Sequence, residues 1–451
     1  MSSTKNILLI GAGKSATYAI EYLATQCKKE NWLLTVADFN KEIVEQKIAA
    51  LPNCKAVQLD INNAKRRSAL IEKADLVISM MPPAFHLAII KDCVKFKKHF
   101  ANASYVTPEI KAFSDDFKKN NSIALCEIGL DPGIDHMSAM QTIHRLQKEK
   151  CELISFKSYC GGLVAPESDN NPWHYKFSWN PRNVIVAGQG TAQFLKNKSV
   201  NYLPYHRLFS NIETVKVQGY GEFEAYANRD SLSYIDTYEL HGVKDFLRGT
   251  LRKKGFCESW NALVQLGITD DTYAVNTDSK STWRNFLQSY LSDENLFAQH
   301  PLLDEIKNYL AGNKIKNKSV IKNLEWLGIF EETKLPLVNA TPAQQLQQLL
   351  EQKWKMEADD KDMVVMQHQF IYKQNGKTKR LHSSLVMKGE NQVHTAMAKT
   401  VGLPLAIGAV LILKEKIKQK GVLIPTISSI YNPILKELEK HGVNFIEEEI
   451  C

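Results

Sequence analysis

The sequence predicts an α/β protein that opens on a doubly wound parallel sheet and continues into an α+β region carrying a helical insertion. Three observations predict it. Residues 5–130 alternate short apolar runs with helical patterns, the texture of a parallel sheet covered on both faces. A glycine-rich turn joins the first run to the first helical pattern. At Cys151 the texture changes to longer strand-like runs and polar loops, and from about residue 240 to amphipathic helices.

The first region's strands are expected at Asn6–Ile10, Leu33–Ala37, Ala56–Leu59, Leu76–Met80, His99–Ala103 and Ile123–Ile128. Leu153–Tyr159 reads as a strand ending in a Gly161-Gly162 turn, and Thr214–Ala227 as one further strand. Between 240 and 360, Trp283, Phe286, Leu287, Tyr290 and Leu291 share one helix face. Thr341-Pro342 has the form of an N-cap with proline in the first turn, above apolar Leu346, Leu349, Leu350 and Trp354. These aromatics read as core. Val364–Tyr372 and Arg380–Met387 flank Asn375-Gly376, a hairpin signal because both turn residues need positive φ. A helix over Ala396–Lys418 and a short strand at Val422–Ile424 close the chain.

A chain of 451 residues exceeds a single core and implies two or three domains. The net charge of +8 is scattered. Lys97-Lys98 and Lys253-Lys254 read as solvated faces, so no nucleic-acid partner is expected, while the positive excess favours an anionic substrate. The polar start MSSTKN reads as no secretory signal, and no apolar run reaches the ~18–20 residues of a membrane helix. The eight cysteines fall singly, with neither a CxxC pair nor zinc-ligand spacing. No metal and a reduced, cytoplasmic setting are therefore expected.

The strand Lys5–Ile10, the turn Gly11-Ala12-Gly13-Lys14-Ser15-Ala16 and a helix to about Cys27 form a GxGxxA fingerprint in its proper context. Gly11 permits the tight turn, Gly13 lets backbone approach a pyrophosphate, and Ala16 is small enough for close packing. The pyrophosphate then meets free N–H groups at a helix start. This predicts a Rossmann-type site for a nicotinamide dinucleotide. Asp38, 22 residues after Ala16, ends the second strand, where a carboxylate accepts the adenosine ribose hydroxyls. The competing reading is a loop aspartate capping the next helix. Asp60-Ile61 and Met81-Pro82 fall at the carboxyl ends of the third and fourth strands, where such ligands lie.

From Ala103 onward the chain resembles one family. The blocks Ala103-Ser104-Tyr105-Val106-Thr107-Pro108, Glu127 to His136 (EIGLDPGIDH) and Ser158-Tyr159-Cys160-Gly161-Gly162-Leu163 are similar to saccharopine dehydrogenases of the glutamate-forming type, also called saccharopine reductases. So are Ala165-Pro166-Glu167, Tyr175-Lys176-Phe177-Ser178-Trp179, Asn228-Arg229-Asp230-Ser231 and Arg248-Gly249-Thr250-Leu251-Arg252. The resemblance implies three parts: a Rossmann domain over 1–130 completed by about 392–451, a substrate and dimerisation domain with a mixed sheet over 131–240 and 360–391, and a helical insertion over 241–359. It also implies a homodimer.

The implied substrate is saccharopine, glutamate and lysine joined through a secondary amine. A hydride leaves the lysine-side carbon beside that nitrogen, and the imine hydrolyses to glutamate and 2-aminoadipate 6-semialdehyde. The resemblance implies substrate contacts from Ser104, Tyr105, Asp131, Arg229, Thr250, Leu251 and Arg252, the arginines gripping carboxylates bidentately. With the fold geometry it places Gly11, Gly13, Lys14, Ser15, Ala16, Asp38, Asp60, Ile61, Met81, Pro82, Leu130, Asp131, Pro132 and Ser178 against the dinucleotide. Asp131, Cys160 and Tyr105 are acid/base candidates by position, with Cys160 equally readable as a small buried hydrophobe. His136 reads as a helix-start stabiliser rather than a proton carrier. Family members that use NADP place a neutral or basic residue, often followed by Arg, after the second strand. This chain has Asp38-Phe39-Asn40 and no base before Lys41, so NAD is expected over NADP. The alternatives are a related carboxynorspermidine- or homospermidine-type reductase, in which carboxylates would replace Arg229 and Arg252, and a catalytically silent dinucleotide-binding protein.

Overall fold

The computed structural model describes residues 4–291 and 302–450. In chain order we label the strands β1 (Asn6–Ile10), β2 (Leu33–Asp38), β3 (Cys54–Gln58), β4 (Leu76–Ser79), β5 (His99–Asn102), β6 (Ile123–Leu125), β7 (Glu152–Val164), β8 (Thr191–Lys196), β9 (Ser199–Pro204), β10 (Glu213–Val217), β11 (Gly221–Ala227), β12 (Asp245–Arg252), β13 (Asp362–Gln374), β14 (Lys377–Lys388) and β15 (Gly421–Leu423). The chain forms two compact units, one mainly Met1–Glu152 with Leu385–Glu449, the other mainly Leu153–Tyr372.

The first unit carries a parallel sheet in the order β3-β2-β1-β4-β5-β6-β15. β4 is buried along its whole length and β1 beyond its first residue, as strands covered on both faces must be. The end of the chain supplies β15, which pairs with β6 from Gly421↔Ile123 onward. The helix Ala396–Leu413 is long and apolar enough to cross a membrane, yet 83% of that window is buried inside the structure. It is a core helix lying on Thr17–Glu30, so close that a Cβ on Gly402 would stand 2.9 Å from the Ala19 nitrogen. The unit runs to Glu152 rather than ending at residue 130. The helix Ile134–Lys148 is held in it by the His144 Nδ1–Tyr431 hydroxyl contact (2.7 Å) and by Arg145 donating to Glu447 (2.7 Å).

The second unit carries a mixed sheet, β10-β11-β12-β7-β13-β14, with β8 and β9 attached through β12. β12 runs parallel to β7 and antiparallel to β11. Three expectations are corrected here. Gly161-Gly162 is not a turn: β7 continues through it, because Gly161 lies where a Cβ would meet the Leu251 carbonyl oxygen at 2.6 Å. Thr214–Ala227 is a hairpin of β10 and β11, turning through Gly219 and Gly221 at φ +77 and +88. The helical region begins at Phe256, not 241, since Asp245–Arg252 is a central strand. The β13–β14 hairpin turns at Asn375 and Gly376 with φ 51 and 77, and Thr341 forms a capping box with Gln344. Trp283, Phe286, Leu287 and Trp354 are buried core.

Candidate functional site

In the first unit the chain leaves β1 at Gly11, whose φ of +101 and 3.0 Å approach to the Met80 carbonyl group exclude a side chain. Gly13 is exposed, and a Cβ there would find nothing within 4 Å, so backbone is open to a ligand. Ala16 is buried; Lys14 is exposed and Ser15 half-buried in the single turn that precedes the helix Thr17–Glu30. A dinucleotide pyrophosphate fits this arrangement of open backbone at a helix start.

Asp38 accepts from the Ala12 N–H (2.7 Å) and, with its other oxygen, from the Asn40 N–H (3.0 Å). The carboxylate is thus tied to the glycine loop rather than capping the next helix, a role taken by Asn40, which accepts from Glu42 and Ile43. Asp38, Asp60, Ile61 and Met81 line one cavity of about 330 Å³ together with Phe39, Leu59 and Phe85. Asp60 accepts from the Asn62 N–H (2.9 Å), and Pro82 is exposed beyond the cavity. Sequence reasoning missed Lys47. Its ammonium donates to the Gly13 carbonyl (2.9 Å) and the Thr17 hydroxyl (3.0 Å). Burial lowers its pKa, against the opposing pull of Asp38 and Glu21. Lys41, the base expected near Asp38, pairs with Glu45 at 2.6 Å. One lysine among many on helical stretches carries no motif, so Lys47 had no signal in the sequence.

At the carboxyl ends of β5 and β6 the unit gathers the family blocks. Tyr105, exposed, donates its hydroxyl to Asp131 at 2.9 Å, so two of the three acid/base candidates meet. Beneath them Glu127, buried at φ +54, accepts from the Val106 N–H (2.9 Å) and contacts His136 Nε2 (2.8 Å). Asp135 accepts from the Gly133 N–H at 2.6 Å. His136 is fully buried in this brace, consistent with a stabilising part. Leu130 and Pro132 are buried in the same loop, and the Pro132 carbonyl accepts from Gly129. Ser104 is half-buried beside His86.

In the second unit Arg252 is 3% exposed at the end of β12. Its guanidinium lies 5.1 Å from the Tyr175 ring centroid, 5.2 Å from Phe256 and 5.8 Å from Tyr226. Nη1 donates to its neighbour's carbonyl, Leu251 O, at 3.1 Å, and Nε is buried with no partner. Among the described residues no carboxylate pairs with it. Burial holds the Tyr175 and Tyr226 phenols neutral, Tyr226 raised to about 12 despite the opposing guanidinium. A buried cation without an anion is the arrangement of a carboxylate receptor. Thr250 lies opposite Cys160 in the β12–β7 register, and its hydroxyl donates to Asn228 at 2.7 Å. Cys160 is buried at 7% exposure. Leu251 is fully buried, and Ser178 is buried in this second unit. Arg229 is exposed. The aromatic cage around Arg252 was missed as a site, although Tyr175 lay in a matching block.

Two family models match the chain: the saccharopine dehydrogenase NADP binding domain over residues 7–125 and the saccharopine dehydrogenase C-terminal domain over residues 129–443. The chain belongs to the saccharopine dehydrogenase family. It is 34% identical over 453 residues to the saccharopine dehydrogenase [NADP(+), L-glutamate-forming] of Schizosaccharomyces pombe, covering 99% of each chain. It is 33% identical to the enzyme of the same name from Pyricularia oryzae, covering 100% of both. Among solved structures, the apo saccharopine dehydrogenase (L-Glu forming) of Saccharomyces cerevisiae matches with a TM-score of 0.87 at 31% identity, over 99% of this chain and 100% of that one. As a member of this family the protein is an oxidoreductase with a nicotinamide-dinucleotide-binding domain.

Proposed function

We propose that the protein interconverts saccharopine with L-glutamate and 2-aminoadipate 6-semialdehyde, in lysine metabolism. The observation that carries this reading is kinship over the full length of both chains, at 33% identity, with an enzyme named for that reaction. Arg252 supplies a physical reason. A tricarboxylate brings the anion that this buried guanidinium lacks, whereas a cationic polyamine precursor does not. Arg229 offers a second, solvated partner for a carboxylate. Asp131 serves as anionic partner to the substrate nitrogen and as its proton acceptor, with Tyr105 Oη holding a proton against it. The amine must be neutral before it gives up a hydride. Cys160 is a packing residue on this reading. The open backbone at Gly11 and Gly13, with Asp38, would hold the dinucleotide, which would supply the hydride acceptor or donor.

The finer choice of cofactor is NAD. The NADP(+) in the relatives' names makes this a point to test rather than to carry over. Asp38 stands where a 2′-phosphate would meet a like charge, while a free 2′-hydroxyl can donate to it. Lys47, beside Asp38 and the glycine loop, reduces that repulsion. The proposal includes a cytoplasmic homodimer. Light scattering that returned the monomer mass of 51.1 kDa would refute the dimer. The central test follows reduced nicotinamide by absorbance with saccharopine and either dinucleotide. No turnover with saccharopine, together with turnover of a polyamine-derived substrate, would reject the reading.

A further inference from the structure

Ser79 ends β4 and stands in register with Asn102, the last residue of β5. His86, which opens the helix His86–Lys95, spans from there to the following loop: its Nδ1 is 3.0 Å from Ser79 Oγ and its Nε2 2.9 Å from Ser104 Oγ. Ser79 and His86 are each 1% exposed, and Ser104 is half-buried. Burial lowers the His86 pKa to about 4, so the ring is neutral and carries one N–H.

Which nitrogen carries that proton follows from the donors and acceptors at hand. Among the described residues Ser79 Oγ has His86 as its one hydrogen-bond partner, and the neighbouring Asn102 amide takes nothing from it, being itself without a partner. If Nδ1–H donated to Ser79, the serine's own O–H would be stranded in a buried place with no acceptor, the costly arrangement. If Ser79 donates to Nδ1, every proton is used. Nε2–H then donates to Ser104, whose hydroxyl proton is turned away from the histidine.

We propose that Ser79 and His86 lock this tautomer and so present Ser104 as an obligatory hydrogen-bond donor to a ligand carboxylate. His86 and Ser79 are positioning residues, and Ser104 is the one that meets the ligand. The inference rests on the saccharopine reading only for the ligand's identity. The direction of the chain Ser79→His86→Ser104 is a property of the protein alone.

Nitrogen NMR of the protein with ¹⁵N-labelled imidazoles, His86 being assigned by its loss in His86→Gln, reads the tautomer directly. A protonated Nε2 with a bare Nδ1 is expected; a protonated Nδ1, or an imidazolium at neutral pH, overturns the proposal. Kinetics give the second arm. His86→Asn, too short to reach Ser104, should raise the saccharopine KM by about 5- to 10-fold, the worth of one oriented hydrogen bond, and leave the dinucleotide KM unchanged. His86→Gln, which keeps a donor near the Nε2 position, should recover most of that rise. In a double-mutant cycle His86→Asn should add nothing to Ser104→Ala; additive effects refute the relay. A wild-type protein that does not turn over saccharopine refutes the functional reading, and the tautomer measurement still decides the relay.

Discussion

Each unit buries a basic side chain where a strand ends, and the two respond in opposite ways. His86 in the first unit gives up its charge: burial takes it from 6.5 to about 4. Arg252 in the second is as well buried and cannot follow, because a guanidinium does not deprotonate in a protein. The difference lies in what each group can do with the desolvation penalty. An imidazole escapes it by becoming a neutral hydrogen-bond bridge between two serines. A guanidinium reduces it with π-faces and one carbonyl, and an anionic ligand would offset the rest. On the reading proposed above, one buried base is structural machinery and the other a receptor.

The largest test of this contrast is Arg252. Arg252→Ala should raise the saccharopine KM by roughly 30- to 1000-fold, corresponding to about 2–4 kcal/mol for a charge-assisted bidentate pair, while dinucleotide affinity stays nearly constant. The near-isosteric Arg252→Met should lose saccharopine equally and raise the stability of the ligand-free protein by about 1 kcal/mol in denaturant unfolding. A less stable Arg252→Met protein would mean that the guanidinium is satisfied without ligand, and the contrast with His86 would collapse.

The histidine side is sharpened by acid. Between its folded value near 4 and the unfolded 6.5, His86 binds a proton only in the unfolded chain. Its contribution to stability is therefore full above 6.5 and is lost as pH falls toward 4, by roughly 3 kcal/mol in all. His86→Gln should lose less stability than wild type between about pH 7 and about pH 4.5 in urea unfolding. Equal losses in the two proteins would show that His86 is protonated in the folded state.

Asp38 tests whether a carboxylate at the open glycine loop acts as a charge or only as a tether. Like charges a few Å apart cost on the order of 1–4 kcal/mol, about a 5- to 1000-fold preference for NAD. Asp38→Ala should narrow the ratio of kcat/KM for NAD over NADP and weaken NAD binding, since the Ala12 N–H loses its partner. A wild-type ratio at or below one would show Asp38 serving the loop alone, with Lys47 setting the local charge. The smallest effect is expected at Arg229. Because it is exposed, Arg229→Ala should raise the saccharopine KM by only about 2- to 10-fold, or about 0.5–1.5 kcal/mol. A loss equal to that of Arg252→Ala would mean that burial does not decide an arginine's worth here.

The parallel sheet, the glycine loop, Asp38 and the Asn375-Gly376 hairpin were legible in the sequence. Each depends on a local rule: a hydrophobic period, a φ that only certain residues adopt, or a turn at a strand end. The same rules misread Gly161-Gly162 as a turn. A glycine is needed there not for its own φ but because Leu251 of another strand approaches, and only register reveals that. They also ran Thr214–Ala227 together across a turn and placed the Asp245–Arg252 strand inside a helical region. The family blocks brought Tyr105 and Asp131 to notice, and folding put them 2.9 Å apart. Lys47, His86 and the cage around Arg252 were decided by tertiary structure alone. A lysine gains meaning when it caps a carbonyl 34 residues away, and a histidine when it bridges serines from two strand ends. An arginine in the sequence is only a cation; burial among Tyr175, Tyr226 and Phe256, with no ion-paired carboxylate among the described residues, suits it to receive a ligand carboxylate, because desolvation strengthens whatever attraction remains unmet.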